Sequence, residues 1–164
     1  MKTKQSFLTL FVCSMVLLVV FGCSKQELPK GMPKLVPVTI ELTQEKKPIA
    51  DAEITFIPEE SITNWFAGGM SDKTGRVVPK THGKYPGLAP GKFKVIVVKS
   101  EIDSNETVKD PEGKFRPIIY RLVDPIYTTL ETTPLELEIV DGGNKTFSFD
   151  LGPAVRIKAK LQYP

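Results

Sequence analysis

Apolar and polar positions alternate with a period of two along most of the chain. Val36, Val38, Ile40 and Leu42 are separated by Pro37, Thr39 and Glu41, the pattern of a strand with one face buried. Ala52, Ile54 and Phe56 alternate with Glu53 and Thr55 in the same way. The intervening loop, with Pro48 inside it, predicts that the two runs form a hairpin. Gly75-Arg76-Val77-Val78 predicts a short third strand after the turn Ser71-Asp72-Lys73-Thr74-Gly75. Residues 93–98 are apolar at almost every position, which predicts a central strand covered on both faces. Leu135, Leu137 and Ile139 alternate with Glu136 and Glu138. The turn Asp141-Gly142-Gly143-Asn144 then predicts a hairpin with Phe147, Phe149 and Leu151. The last run is the longest: Val155, Ile157, Ala159, Leu161 and Tyr163 against Arg156, Lys158, Lys160 and Gln162. A strand would put its apolar set on the core and its cations outside. Beyond the N-terminal segment no stretch sustains a 3.6-residue period. The pattern predicts an all-β chain, an antiparallel β-sandwich of about seven or eight strands.

The first residues follow another logic. Lys2 and Lys4 precede an apolar run over residues 7–21, shorter than the ~20 residues that span a bilayer. A basic start followed by a short apolar stretch is the layout of an export signal. The run ends in Val20-Phe21-Gly22-Cys23, which resembles a bacterial lipobox. That resemblance implies a diacylglycerol on the Cys23 thiol and cleavage just before it. The expected organisation is a signal peptide over 1–22, a lipidated cysteine and polar tether over 23–35, and the sandwich over 36–164. The tether, fully extended, would reach ~40 Å from the lipid surface. Ser24 rather than aspartate after the cysteine resembles the outer-membrane sorting signal of diderm cells, so the expected location is the cell envelope, lipid-anchored.

Composition now matters mainly for what it excludes. Hydrophobic residues make up 41% and charged residues 25%, values of a folded chain rather than a disordered one. Without Lys2 and Lys4 the chain keeps 20 basic and 19 acidic side chains. No general affinity for nucleic acid follows from that near-balance. Cys13 lies in the signal, and Cys23 carries the lipid, so neither a disulfide framework nor a cysteine nucleophile is expected. His82 is the only histidine and cannot alone build a metal site or a catalytic triad. The adjacent carboxylates Glu59 and Glu60 would point to opposite faces of an extended segment. No glycine loop is followed by the lysine and helix that a phosphate site needs. The expectation is therefore a chain without catalytic residues, metal or cofactor.

Three segments carry a family resemblance. Lys47-Pro48-Ile49-Ala50-Asp51-Ala52-Glu53-Ile54-Thr55-Phe56-Ile57-Pro58 is similar to the opening of carboxypeptidase-regulatory-like domains of the transthyretin-like superfamily. Ser71-Asp72-Lys73-Thr74-Gly75-Arg76-Val77 resembles their Thr-Asp-x-x-Gly-x-aromatic turn, with Val77 in place of the aromatic. Gly87-Leu88-Ala89-Pro90-Gly91-Lys92-Phe93-Lys94-Val95 resembles their Gly-x-x-Pro-Gly-x-Tyr-x-Val strand entry. No glycine stands at Lys46-Lys47 of the first turn. Residues 123–151 also resemble the tail of small bacterial lipoproteins built on this domain. The resemblance implies an immunoglobulin-like or transthyretin-like sandwich in a cell-envelope setting and brings no ligand with it. Enzymatic relatives in the superfamily use several histidines, which this chain lacks. The motifs also have direct physical meaning: Gly75 and Gly91 suit positive φ, and Asp72 suits a side chain that accepts N–H bonds across its own turn.

Three features are candidate contact surfaces. Trp65-Phe66, with Tyr85 as a third aromatic, would suit a sugar ring or a protein partner if exposed, and would plug the end of the sandwich if buried. Arg156, Lys158 and Lys160 would form a basic face along one strand or guard a sheet edge. The charged segment 101–133, which holds three prolines, is too long for a hairpin loop. It either crosses between sheets or forms an excursion, with 101–114 expected to be mobile. The functional expectation is a membrane-anchored, non-catalytic binding or structural module of an envelope assembly, with an envelope protein or polysaccharide as partner. A carbohydrate-binding module, showing two or three coplanar exposed aromatics, is the second reading. An enzyme acting through loops 58–70 and 101–133 is the third.

The anchor is directly testable. Mature protein should partition into the detergent phase and begin at a modified Cys23, and Cys23→Ser should be released or keep its signal. Soluble wild-type protein with a free Cys23 thiol would overturn the assignment.

Overall fold

The computed structural model describes residues 27–59, 65–142 and 145–159; Cys23 lies outside them. Within them run β1 (Val38–Gln44), β2 (Lys47–Pro48), β3 (Glu53–Pro58), β4 (Ala67–Met70), β5 (Arg76–Val77), β6 (Lys80–Thr81), β7 (Tyr85–Pro86), β8 (Gly91–Val98), β9 (Ser100–Lys109), β10 (Phe115–Arg121), β11 (Glu136–Ile139), β12 (Lys145–Asp150) and β13 (Ile157–Lys158). The chain is an all-β sandwich. Its strand count exceeds expectation because β2, β5, β6, β7 and β13 have only two residues each, too few to show alternation.

Two sheets enclose the core. One has the order β12-β1-β2, with β5 also on β1, and the other runs β11-β8-β3-β4-β6-β7. Val38, Ile40 and Leu42 of β1 meet Ile54 and Phe56 of β3 and Val95 and Val97 of β8 in one buried cluster. Phe56 and Phe93 pack edge to face, 6.5 Å apart at 88°, the favoured aromatic geometry. Phe56, Val95 and Leu137 are buried, whereas Phe149 is partly buried at the flank of the cluster.

The pairing corrects the expected hairpins. β1 and β3 do not pair: Glu45 and Lys46 adopt φ of 53° and 63° and fold Lys47–Pro48 straight back onto β1. That two-residue left-handed turn was invisible because it normally calls for Asn or Gly. Here the Asp150 carboxylate accepts the Lys46 N–H at 3.1 Å. The chain then crosses to the opposite sheet, where β3 pairs β4 and β8. Likewise β11 pairs β8 while β12 runs parallel to β1, so the two strands lie in different sheets and do not form a hairpin. Apart from β1–β12, the pairing of named strands is antiparallel. β8 is central, but its outward Ile96 and Val98 are only half-buried; among the described residues no further sheet pairs or packs over this face as a second layer.

The turn of residues 71–76 behaves as its chemistry predicts. Asp72 Oδ1 accepts from the Thr74 hydroxyl, the Thr74 N–H and the Arg76 N–H, and these bonds hold its carboxyl below the usual carboxylate range. Gly75 has φ 76°, and a methyl there would run into the Leu42 carbonyl. Ser71 is buried, taking the Ala52 N–H and donating to the Ile49 carbonyl, which ties this turn to the crossover between sheets. Before β1, Met32 is buried and Val36 exchanges backbone hydrogen bonds with Leu88, so the expected tether docks onto the domain from about Met32 onward.

Residues 100–121 are an ordered excursion, not a mobile loop. β9 and β10 form a long hairpin whose other partner is β13. At its tip the Asp110 carboxylate caps the turn by accepting the Lys114 N–H at 2.8 Å and Arg116 at 3.1 Å. The Leu122 N–H to Lys99 carbonyl bond closes the base, and Val123 re-enters the core fully buried.

The packing makes two substitutions informative. Phe56→Ala should cost ~3–5 kcal/mol of stability, since it empties a fully enclosed site. Gly75→Ala should also destabilise, through both its φ and the blocked approach to β1. Denaturant midpoints unchanged from wild type would refute this core assignment.

Candidate functional site

The open face of the six-stranded sheet carries a groove of about 640 Å³ over β3, β4 and β6. Its shape follows from β4, whose sequence is Ala-Gly-Gly-Met. Ala67 points into the core, and Gly68 leaves the middle of the outer face bare. A side chain at Gly68 would be pressed to 2.7 Å from the Ile54 carbonyl oxygen, so close strand approach requires the glycine. Phe66 and Met70 stand on either side of it, 61% and 63% exposed. They lie four residues apart, roughly 13 Å along an extended chain. Registration places Thr55 and Lys80 beside Gly68, Glu53 beside Met70, and His82 beside Phe66 through the His82 N–H to Phe66 carbonyl bond. The result is an apolar trough rimmed by one carboxylate, one ammonium and one imidazole.

The three predicted aromatics do not form a common platform. Phe66 walls the groove. Trp65 is half-buried and stacks on His82, with centroids 5.0 Å apart and rings tilted by 40°. Tyr85 is half-buried on β7, away from the groove, with Lys84 Nζ 5.2 Å from its ring. Consecutive residues in an extended segment diverge, which is why Trp65 and Phe66 part company. Met70, Gly68 and Lys80 were missed from the sequence. The pair Gly68-Gly69, one residue after two aromatics, was the available sign of a bare strand surface.

The predicted basic face also changes meaning. β13 lies beside β10 in the hairpin sheet, with Lys158 opposite Tyr120, and Ile157 is 41% exposed and does not face the core. The Arg156 guanidinium lies 3.5 Å over the Tyr120 ring and donates to Asp103 at 2.9 Å, with Glu101 at 3.9 Å. Lys158 donates to Glu106 at 3.1 Å, and the Tyr120 hydroxyl donates to the same oxygen at 3.0 Å. Arg156 and Lys158 are thus answered by carboxylates of β9. Lys160, Leu161 and Tyr163 lie outside the described residues, as do Gly143 and Asn144. Among the described residues no three His, Cys, Asp or Glu side chains converge as a metal site would require.

No protein-family model matches this chain, and no curated protein matches it. Among solved structures, a 9R-lipoxygenase from Cyanothece PCC8801 is similar at 14% identity and a TM-score of 0.33, over 79% of this chain and 18% of that one. The chain thus spans less than a fifth of that protein's length, and a likeness this loose bears on neither fold nor activity.

Titration of the hairpin sheet follows from its bonds. The Asn105 N–H and then Arg156 hold the Asp103 carboxyl below its ordinary range; Lys158 and then the Tyr120 hydroxyl do the same for Glu106. Groups with lowered values stabilise above the ordinary carboxylate range and lose that contribution as the pH falls through the lowered values. β13 should therefore stay docked at neutral pH and loosen only below about pH 4. Amide shifts of Lys158 and Ala159 across an acid titration check this; release near pH 6 would contradict it.

Proposed function

We propose that this chain is a lipid-anchored envelope protein whose sandwich is a non-catalytic docking module, holding a protein partner of an envelope assembly on the open face of its six-stranded sheet. The observation that carries the reading is the pair Phe66 and Met70, both more than 60% exposed, on either side of the bare Gly68. Large apolar side chains on an uncovered sheet face mark a contact surface, and Phe and Met are enriched at such surfaces. Half-buried Ile57, Ile96 and Val98 extend the apolar area beyond the groove. Of the three predicted aromatics only Phe66 lines the groove, which favours a shaped protein surface over a flat polysaccharide platform. The lipobox-like Val20-Phe21-Gly22-Cys23 and the carboxypeptidase-regulatory-like turn motifs support the envelope setting.

A photo-crosslinking residue at position 70 of the tagged, full-length protein in cells should yield a discrete protein adduct. Adding Phe66→Asp should abolish it, and the same probe at Ser148, exposed on β12 of the opposite sheet, should give none. Failure to obtain an adduct specific to position 70 would overturn the reading; a carbohydrate-linked smear would reassign the face to polysaccharide.

A further inference from the structure

The β9–β10 hairpin stands apart from the sandwich. Its strands pair with each other and with β13, and with no strand of the two core sheets. The contact that seats β13 is short and largely polar. Two residue pairs, Tyr120↔Lys158 and Arg121↔Ile157, make the ladder, extended by the Ala159 N–H to the Ile119 carbonyl. Its apolar member, Ile157, is 41% exposed, so hydrophobic burial contributes little to holding the strand. Recognition comes from alternate cations: Arg156 stacked on Tyr120 and bonded to Asp103, and Lys158 bonded to Glu106. Tyr120, 4% exposed, is the buried floor of the seat.

We propose that this seat on β10 also accepts the C-terminal strand of a second copy of the chain, so that two molecules join by exchanging β13. The complementarity needed is already present, because the incoming strand is the same Arg-x-Lys segment that the seat holds in one copy. Backbone pairing supplies a sequence-tolerant ladder, and the alternate cations supply register. Exposed ion pairs hold a strand weakly and are screened by salt, which makes the resident strand exchangeable. Residues 152–156 between buried Leu151 and β13 reach at most ~17 Å, so exchange requires the two hairpins to lie side by side. Copies anchored on one membrane surface would be held in that orientation. The exchange uses a surface separate from the groove and goes beyond the docking function proposed for it.

Two full-length variants with intact sandwiches test the exchange. Arg156→Glu with Lys158→Glu spoils the donor strand and leaves the seat intact; Asp103→Lys with Glu106→Lys spoils the seat and leaves the donor intact. Core methyl spectra should match wild type in both, because the altered side chains lie outside the core. Each variant alone should be monomeric with the β13 amides unprotected. An equimolar mixture should form a one-to-one dimer that restores protection to β13 in both variants, since each reversed group meets its complement in the other copy, and that dissociates as salt rises. A mixture that stays monomeric with β13 released in both would overturn the proposal. So would variants that keep β13 docked, since the charge pairs would then not be what seats it.

Discussion

The alternate face of β1 is the constraint on which the sandwich depends. Val38, Ile40 and Leu42 are buried against Ile54 and Phe56 of β3 and Val95 and Val97 of β8, so β1 and β3 must lie in opposite sheets with their apolar faces turned to each other. That requirement dictates the left-handed turn at Glu45 and Lys46, the crossover at residues 49–52, and the buried Ser71 hydroxyl that satisfies backbone groups on that crossover.

Among the described residues, the same arrangement leaves the other side of the six-stranded sheet uncovered. Its outward positions include Phe66, Gly68, Met70, Thr55 and Lys80, and at Gly68 the strand is paired on both sides, with Thr55 and with Lys80. The surface therefore offers side chains around a bare floor at Gly68. The hairpin at residues 100–121 has the opposite character. Its carboxylates and the cations of β13 answer one another, so a stretch rich in charge presents few unpaired charges and is ordered by that pairing. Groove and hairpin thus favour different contacts, apolar docking at one and strand pairing with alternate cations at the other.

Much was legible in the residues alone. The period-two runs marked β1, β3, β11 and β12, the continuous apolar run marked β8, and the chemistry of Asp72 and Gly75 announced the turn they form, because these features rest on interactions within a few residues. Phe66 was legible as a candidate contact, but its neighbours in the groove were not. Lys80 reaches the site only because β6 pairs with β4, and the groove's shape comes from glycines that carry no side-chain pattern. Arg156 and Lys158 read as a basic surface because Asp103 and Glu106 are more than fifty residues away.

The sequence by itself determined which residues alternate, and hence that the chain is a β-sandwich, since side-chain period is set by backbone geometry within each strand. Partner choice was left to the tertiary structure. Whether β1 pairs with β3 or faces it, whether β12 runs parallel to β1, and whether β13 lies in the core sheets or on the hairpin all depend on contacts far apart in the chain. Local periodicity is the same in either case. What decides is which arrangement buries every apolar face and answers every buried polar group, and that sum exists only once the whole chain is folded.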